Sequence, residues 1–192
     1  DEFLGEVHQA GQAQAGSTVG SERADRLYAK VFNEYGDDSV AQLGGAHVAC
    51  EGVSNILTKV LEWGRLMAYL EQSTRYVPYT AKPHGRWKYH VPAEVARSPL
   101  AGAYTATMDR AFEVYAHWIP VLEEHFRAKY PKSADDSDGV YRSVIRAKAL
   151  DTLRGLLPAA TTSNLGLYGT GQAYEALILR MRANPLEEVR TY

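Results

Sequence analysis

The sequence is poor in cysteine and has no long apolar run, and each shortage excludes a class of protein. Cys50 is the only cysteine in 192 residues, so neither an internal disulfide nor a cysteine-based metal cluster can form within the chain. It stands in an apolar run, residues 46–50, which predicts a buried packing role and fits a cytoplasmic location. No stretch reaches the ~18 apolar residues of a membrane helix, so we expect no membrane partner.

A strong positive charge and the common phosphate-binding motifs are also missing. The formal net charge is −2, which offers no global basic surface, so we expect no nucleic acid partner. There is no P-loop, and Gly166, Gly169 and Gly171 have the reverse of the dinucleotide-binding spacing. The six histidines are scattered, so we predict no metal site. The acidic run at 135–138 lacks the downstream glutamate of a calcium loop, which favours a solvated helix start.

Length and composition predict one folded domain behind a flexible N-terminal segment. Residues 9–21 are rich in Gly, Gln, Ala and Ser and have little to bury. We therefore predict a flexible segment over 1–21 and a single domain over 22–192. The first residue is not Met, and the last residues have a helical pattern. Both observations favour a piece of a longer or tandem protein.

The periodicity of the apolar residues indicates an α+β chain. Residues 46–50 are typical of a short strand, and the spacing predicts helices over 21–35, 53–67, 98 onward, 138–157 and 172–181. Pro120 should kink the long helix that starts near 98. Residues 76–79 and 87–91 have strand-like aromatic patterns, whereas 159–170, with its Thr, Ser, Asn and Gly, is predicted to be a loop. We therefore expect a small mixed sheet with a helical layer.

The most informative stretch is residues 63–76, which read Trp-Gly-Arg-Leu-Met-Ala-Tyr-Leu-Glu-Gln-Ser-Thr-Arg-Tyr. It resembles the signature of the flavin-dependent thymidylate synthases, Arg-His-Arg-x-x-Ser-x-x-Glu/Gln-x-Ser-x-Arg-Tyr, and its second half matches closely. Further blocks of that family have counterparts in the same order: Gly-Asp-Asp-Ser-Val at 36–40, Glu-Gly-Val-Ser-Asn at 51–55, Leu-Arg-Gly-Leu-Leu-Pro at 153–158 and Leu-Arg at 179–180.

The resemblance implies the fold of that family and its reaction, the reductive methylation of dUMP to dTMP at C5. Methylenetetrahydrofolate supplies the carbon, and FAD reduced by NADPH supplies the hydride. The family forms homotetramers whose sites are shared between subunits, so we expect a homo-oligomer or a partner domain. Trp63, Tyr69 and Leu70 are expected to pack in that contact.

The matched residues suit nucleotide binding. By the resemblance, Ser73, Arg75 and Arg154 bind the phosphate and base of a uracil nucleotide monophosphate, and Arg180 contacts the base. Guanidinium groups suit a phosphate because they offer paired donors in one plane. No catalytic residue is assigned. The alternative for each arginine is a surface side chain in a weak ion pair, with Glu71 or another acid as the partner of Arg75 and Arg154.

The match is incomplete on the cofactor side. Ser39, Arg65 and Glu71 match positions near the flavin. However, the first Arg and His of the signature are Trp and Gly here, and Gly-Thr-Gly at 169–171 replaces an Asn-Ala-Arg triplet that contacts flavin. Losing several charge-assisted hydrogen bonds, each worth ~1.5–3 kcal/mol, predicts FAD binding that is weak or lost in the isolated chain.

Two functions therefore stay open. One is a divergent flavin-dependent thymidylate synthase whose missing groups come from another chain or domain. The other is a catalytically degenerate member that acts as a structural or nucleotide-binding module.

Overall fold

The structure is a computed structural model that describes residues 19–31 and 42–192. Its first helix, α1 (Val19–Lys30), begins two residues ahead of the predicted start at Ser21. The predicted end of this helix at Tyr35 lies outside the described residues, as does the 36–40 block with Ser39.

Three strands form one antiparallel sheet: β1 (Gly45–Ser54), β2 (Met67–Glu71) and β3 (Thr162–Thr170). The strand order is β1-β3-β2, and both outer strands run antiparallel to β3. The prediction of a mixed sheet was therefore wrong for the described residues. β1 and β2 do run in the same direction, but β3 lies between them, so no parallel pair forms.

The central strand is the segment that we predicted to be a loop. Its side chains alternate between the two faces of the sheet, with Ser163, Leu165 and Leu167 buried and Asn164 and Tyr168 exposed. This alternation of period two is that of a half-buried strand. The loop prediction failed because small and polar residues between the apolar ones hid that period. The α+β class is confirmed.

A strand also occupies the start of the predicted 53–67 helix. β1 continues to Ser54 after a bulge at which Gly52 has a φ of 65°, a conformation that glycine adopts without steric cost. Helix α2 is only Asn55–Leu61, and Ser54 caps it because its Oγ accepts a hydrogen bond from Leu57 N at 3.1 Å.

The remaining helices follow the predictions more closely, except the first of them, which was not predicted. They are α3 (Ala93–Ala96), α4 (Ala101–Lys129), α5 (Asp138–Leu153), α6 (Gly171–Arg182) and α7 (Glu187–Thr191). Short 3-10 turns lie at Pro83–Gly85 and Arg154–Leu156. Pro120 lies inside α4. The predicted strands at 76–79 and 87–91 were wrong, because only an isolated bridge joins Tyr89 to Thr161.

Two apolar clusters stabilise the fold. One lies between the sheet and α2, α6 and α7, and consists of Cys50, Val53, Leu57, Leu61, Leu165, Leu167, Leu177 and Val189. The other joins α4 to α5 and consists of Tyr79, Phe112, Tyr115, Ile119, Leu150 and Leu153. The predicted packing role of Cys50 is confirmed, and burial raises the pKa of its thiol despite a hydrogen bond with Tyr192 that lowers it.

Candidate functional site

A cleft of about 910 Å³ opens between α2, the segment after β2, and the 3-10 turn that follows α5. Seven of its twelve lining residues are polar or charged and five are apolar, so it offers hydrogen-bond donors and acceptors beside an apolar surface. The lining residues are Asn55, Ile56, Lys59, Val60, Trp63, Glu71, Gln72, Ser73, Thr74, Arg154, Leu157 and Ala159.

Ser73 shapes the turn that presents Arg75. The backbone N–H of Arg75 donates to Ser73 Oγ at 3.3 Å, and the N–H groups of Tyr76 and Val77 donate to the Ser73 carbonyl. A serine hydroxyl that accepts one hydrogen bond still has its own proton to donate. Ser73 can therefore hold the turn and also donate to a ligand in the cleft.

Arg75 and Arg154 meet at one carboxylate. Their Nε atoms lie 3.2 and 3.1 Å from the same oxygen, Asp151 Oδ1. That oxygen is buried and accepts no well-aligned hydrogen bond, so the contact is mainly ionic. Each guanidinium is about half exposed, so each pair is worth only ~0–1 kcal/mol. In the described part of the chain, neither arginine makes a hydrogen bond through its terminal nitrogens.

The two arginines line different clefts. Arg154 lines the cleft with Ser73, whereas Arg75 and Asp151 line a neighbouring cleft of about 730 Å³ along α5, together with Lys148. The structure therefore brings Ser73, Arg75 and Arg154 into one region, although only two of the three line the same cleft.

Glu71 pairs with a lysine of α2. Lys59 Nζ lies 3.0 Å from Glu71 Oε2 and 2.9 Å from Glu62 Oε2. Desolvation lowers the pKa of Lys59, but these hydrogen bonds and charges outweigh it and raise the pKa above its usual value. Lys59 is thus a cation already bracketed by two carboxylates, and Glu71 is only partly available to a ligand.

The other predicted residues lie elsewhere. Arg65 is exposed in the turn between α2 and β2 and does not line the cleft. Arg180 lies on α6 beside Gly64, outside the cleft lining, and its buried Nε has no hydrogen-bond partner among the described residues. Ser39 falls outside the described residues. Of the six predicted residues that the structure describes, Glu71, Ser73 and Arg154 line one cleft.

The flavin positions that carry glycine here are closed by neighbouring side chains. A Cβ at Gly64 would lie 2.7 Å from Tyr69 Oη, and a Cβ at Gly169 would lie 2.9 Å from Met67 Cε. Tyr69 Oη also donates to the Gly64 carbonyl at 2.7 Å. A side chain at either glycine would therefore have to displace the end of Tyr69 or of Met67.

Sequence reasoning missed Asp151, Lys59 and Gln72. The pairing of Asp151 with Arg154 has a recognisable signal, because residues three apart on a helix are neighbours. The pairing of Lys59 with Glu62 has the same spacing. Gln72 has no such signal in the sequence. It lies in the cleft because it directly follows β2, and its amide oxygen accepts from Asn164 Nδ2 of β3 at 3.0 Å.

Neither a metal cluster nor a membrane helix is found in the described residues. No three His, Cys, Asp or Glu side chains of residues 19–31 and 42–192 come together in a way that could hold a metal ion. Among the helices described, none combines the length and the apolar character needed to cross a bilayer.

Comparison with known proteins gives one consistent family. The chain is 41% identical over 173 residues to a UPF0159 protein of Chlamydia muridarum, which covers 90% of this chain and 33% of that protein. It is 39% identical over 170 residues to the UPF0159 protein of Chlamydia pneumoniae (88% and 32% covered). It is 35% identical over 181 residues to the UPF0159 protein of Thermoplasma acidophilum (83% and 36% covered).

The chain thus spans about a third of the length of the curated relatives it matches. A family model described as thymidylate synthase complementing protein matches residues 5–192. That match covers nearly the whole chain, in agreement with the resemblance seen in the signature at 63–76. The chain therefore belongs to the thymidylate synthase complementing protein family.

Proposed function

We propose that this chain is a nucleotide-binding domain of a divergent flavin-dependent thymidylate synthase-like protein, with the fold of that family. Its ligand is a uracil nucleotide monophosphate such as dUMP. The observation that carries the proposal is the convergence of Arg75 and Arg154 on Asp151 Oδ1, at 3.2 and 3.1 Å, beside the Ser73 turn.

The charges of this region suit a phosphate. Two guanidinium groups and one carboxylate leave one positive charge, and both ion pairs use the Nε atoms. The terminal nitrogens of Arg154 can therefore donate to a phosphate oxygen in the cleft, where Ser73 supplies a hydroxyl. Charge-assisted hydrogen bonds of this kind are about twice as strong as neutral ones. Arg75 adds a second positive charge next to Asp151.

Methylation of dUMP with methylenetetrahydrofolate, FAD and NADPH needs groups beyond those described. The side chains that would hold the flavin diphosphate are replaced, and the space at Gly64 and Gly169 is filled. The relatives are about three times as long as this chain. We therefore assign nucleotide binding to this domain, and place the complete reaction in an assembly that contributes flavin contacts from another chain or domain.

One observation favours the alternative of a purely structural module. Asp151 already supplies an anion to both arginines, as expected if the pair survives only to hold the 72–76 segment against α5. In that case no nucleotide needs to bind.

Separate titrations of the purified chain with dUMP, FAD and deoxyuridine test the proposal. We expect saturable calorimetric binding of dUMP, at least tenfold weaker binding of deoxyuridine because it lacks the phosphate, and no stoichiometric FAD. Absence of dUMP binding contradicts the proposal and favours the structural module. Tight stoichiometric FAD, which would colour the protein yellow, contradicts our interpretation of the flavin positions.

A further inference from the structure

We propose that Trp63 is the platform on which the pyrimidine ring of the nucleotide stacks, with the phosphate held at Arg154 and Ser73. The inference rests on the proposed function and adds a residue that determines which ligands the cleft accepts. At this position the resembling family has an arginine, so the role belongs to this chain's own sequence.

The indole is placed in the cleft without a packing role of its own. Trp63 is 75% exposed, lines the cleft, and belongs to neither apolar cluster of the described residues. Its backbone N–H donates to the Val60 carbonyl at 3.5 Å, which continues the last turn of α2. Asn55 and Lys59 lie four residues apart on the side of α2 that faces the cleft, and Trp63 lines the same cleft from the turn just after the helix.

An exposed aromatic ring at the edge of a polar cleft is suited to stacking. Its faces offer a large apolar area that water solvates poorly, and every nucleobase has a π-face that can cover it. Trp87 shows the contrast within the same chain. Its ring stacks on Phe112 at a centroid distance of 5.5 Å and packs against the α4–α5 cluster, so its role is structural.

Two amides in the same cleft can contact the edge of a base. Gln72 lines the cleft, and its Oε1 accepts from Asn164 Nδ2, which fixes the orientation of the amide and leaves its NH2 group to donate. Asn55 also lines the cleft and adds a second side-chain amide. A uracil edge presents two carbonyl acceptors around one N–H donor, and amide groups can match both types.

The charge of the cleft favours a ligand with one phosphate. Its lining contains two cations, Lys59 and Arg154. Lys59 is held by Glu62 and Glu71 at 2.9 and 3.0 Å, so Arg154 is the lining cation that faces the cleft with terminal donors to spare. One guanidinium group is enough to bind a single phosphate. With the phosphate at Arg154, the base of the nucleotide can reach the apolar part of the cleft, which contains Trp63.

The test compares Trp63→Ala and Trp63→Phe with the unchanged chain, using dUMP and the base-free probe deoxyribose 5-phosphate. Trp118→Ala is the matched control, because Trp118 is also exposed but lines a different cleft on α4. Calorimetry measures both affinities, and tryptophan fluorescence reports whether the ligand covers an indole. Thermal melting of each variant confirms that it folds.

We expect Trp63→Ala to weaken dUMP binding about 5- to 150-fold, equivalent to the ~1–3 kcal/mol of one stacked base. Trp63→Phe should recover most of that loss, and the affinity for deoxyribose 5-phosphate should not change. dUMP should quench the fluorescence of the unchanged chain and of Trp118→Ala, but much less that of Trp63→Phe.

Three results would overturn the inference, and they differ in whether the proposed function is overturned as well. If dUMP binds the unchanged chain and Trp63→Ala equally well, stacking is wrong and the proposed nucleotide site stands. If Trp63→Ala weakens deoxyribose 5-phosphate as much as dUMP, Trp63 supports the cleft instead of the base. If dUMP does not bind the unchanged chain at all, both the inference and the proposed function fall.

Discussion

Arg75 and Arg154, which lie far apart in sequence, place their Nε atoms within 3.2 Å of the same oxygen of Asp151. Arg75 comes from the turn after β2, and Arg154 from the end of α5. The carboxylate balances part of their charge, and both side chains remain about half exposed. This triad can therefore either hold the turn against α5 or bind an external anion, and two substitutions separate these roles.

Removing the carboxylate tests whether Asp151 competes with the ligand. Asp151→Asn raises the charge of the triad from +1 to +2, so we expect dUMP to bind about three- to tenfold more tightly at low salt, with a smaller gain at high salt. Calorimetry at two ionic strengths measures this. Glu124→Gln on α4 changes the net charge equally at an exposed site and should have little effect. Weaker binding by Asp151→Asn would mean that Asp151 positions the arginines for the ligand.

Arg75→Lys tests the geometry of the guanidinium. A lysine keeps the charge but loses the guanidinium that shares Asp151 Oδ1 with Arg154. Asp151 then pairs more closely with Arg154, so we expect dUMP affinity to fall about tenfold. The free energy of unfolding should change by less than ~0.5 kcal/mol, because the ion pair is half exposed. Calorimetry and chemical denaturation measure the two effects. Arg142→Lys, at an exposed position of α5, is the control. A variant that is chiefly destabilised would show that the arginine is structural.

The sequence was sufficient for the long helices, because α4, α5 and α6 have clear apolar spacing, and α5 and α6 also begin at a side-chain cap. Ser137, for example, caps α5 by accepting from Val140 N at 3.3 Å. It was not sufficient for the sheet. β3 carries Gly and Ser among its apolar residues, and its pairing with β1 and β2 depends on segments about a hundred residues away. The pattern of residues within one segment does not indicate which distant segment will pair with it.

In the candidate site, too, some residues could be predicted from the sequence and others could not. The turn at Ser73 and Arg75 could be predicted because it follows a recognisable motif, and so could the participation of Arg154. The place of Arg180 could not be predicted, since it depends on how α6 packs beside Gly64. The contact of Tyr69 with the Gly64 carbonyl was equally invisible. This contact leaves Tyr69 half-buried beside the sheet cluster, and its expected packing between subunits or against a second domain stays a prediction.

Gly64 should be required by the packing around it. Its Cβ position lies 2.7 Å from Tyr69 Oη, so Gly64→Ala must displace the tyrosine or lose its hydrogen bond, at a cost of ~1–3 kcal/mol. Gly102→Ala is the control with the opposite sign. Gly102 lies in the first turns of α4 with open space around its Cβ position, so alanine should stabilise by ~0.5–1 kcal/mol.

Chemical denaturation measures both glycine variants. Tyr69→Phe removes the hydroxyl that causes the overlap, so the cost of Gly64→Ala should be smaller in that background, and a double-mutant cycle gives the coupling. A Gly64→Ala variant as stable as the unchanged chain would show that Tyr69 yields to a side chain at this position.

The outer face of the sheet should mediate self-association or contact with a partner domain. Leu70 is 79% exposed on β2 and Tyr168 is 45% exposed on β3. Leu70 pairs with Gly166 and Tyr168 with Ala68, so small residues beside both leave a shallow apolar groove. Such a face is unusual on a monomer. We expect light scattering at micromolar concentration to show a species larger than a monomer. Leu70→Glu should shift the measured mass toward that of the monomer without loss of thermal stability. Leu100→Glu, at an exposed leucine just before α4, should leave the mass unchanged. A clean monomer for the unchanged chain would contradict self-association and leave a covalently linked second domain as the expected cover for this face.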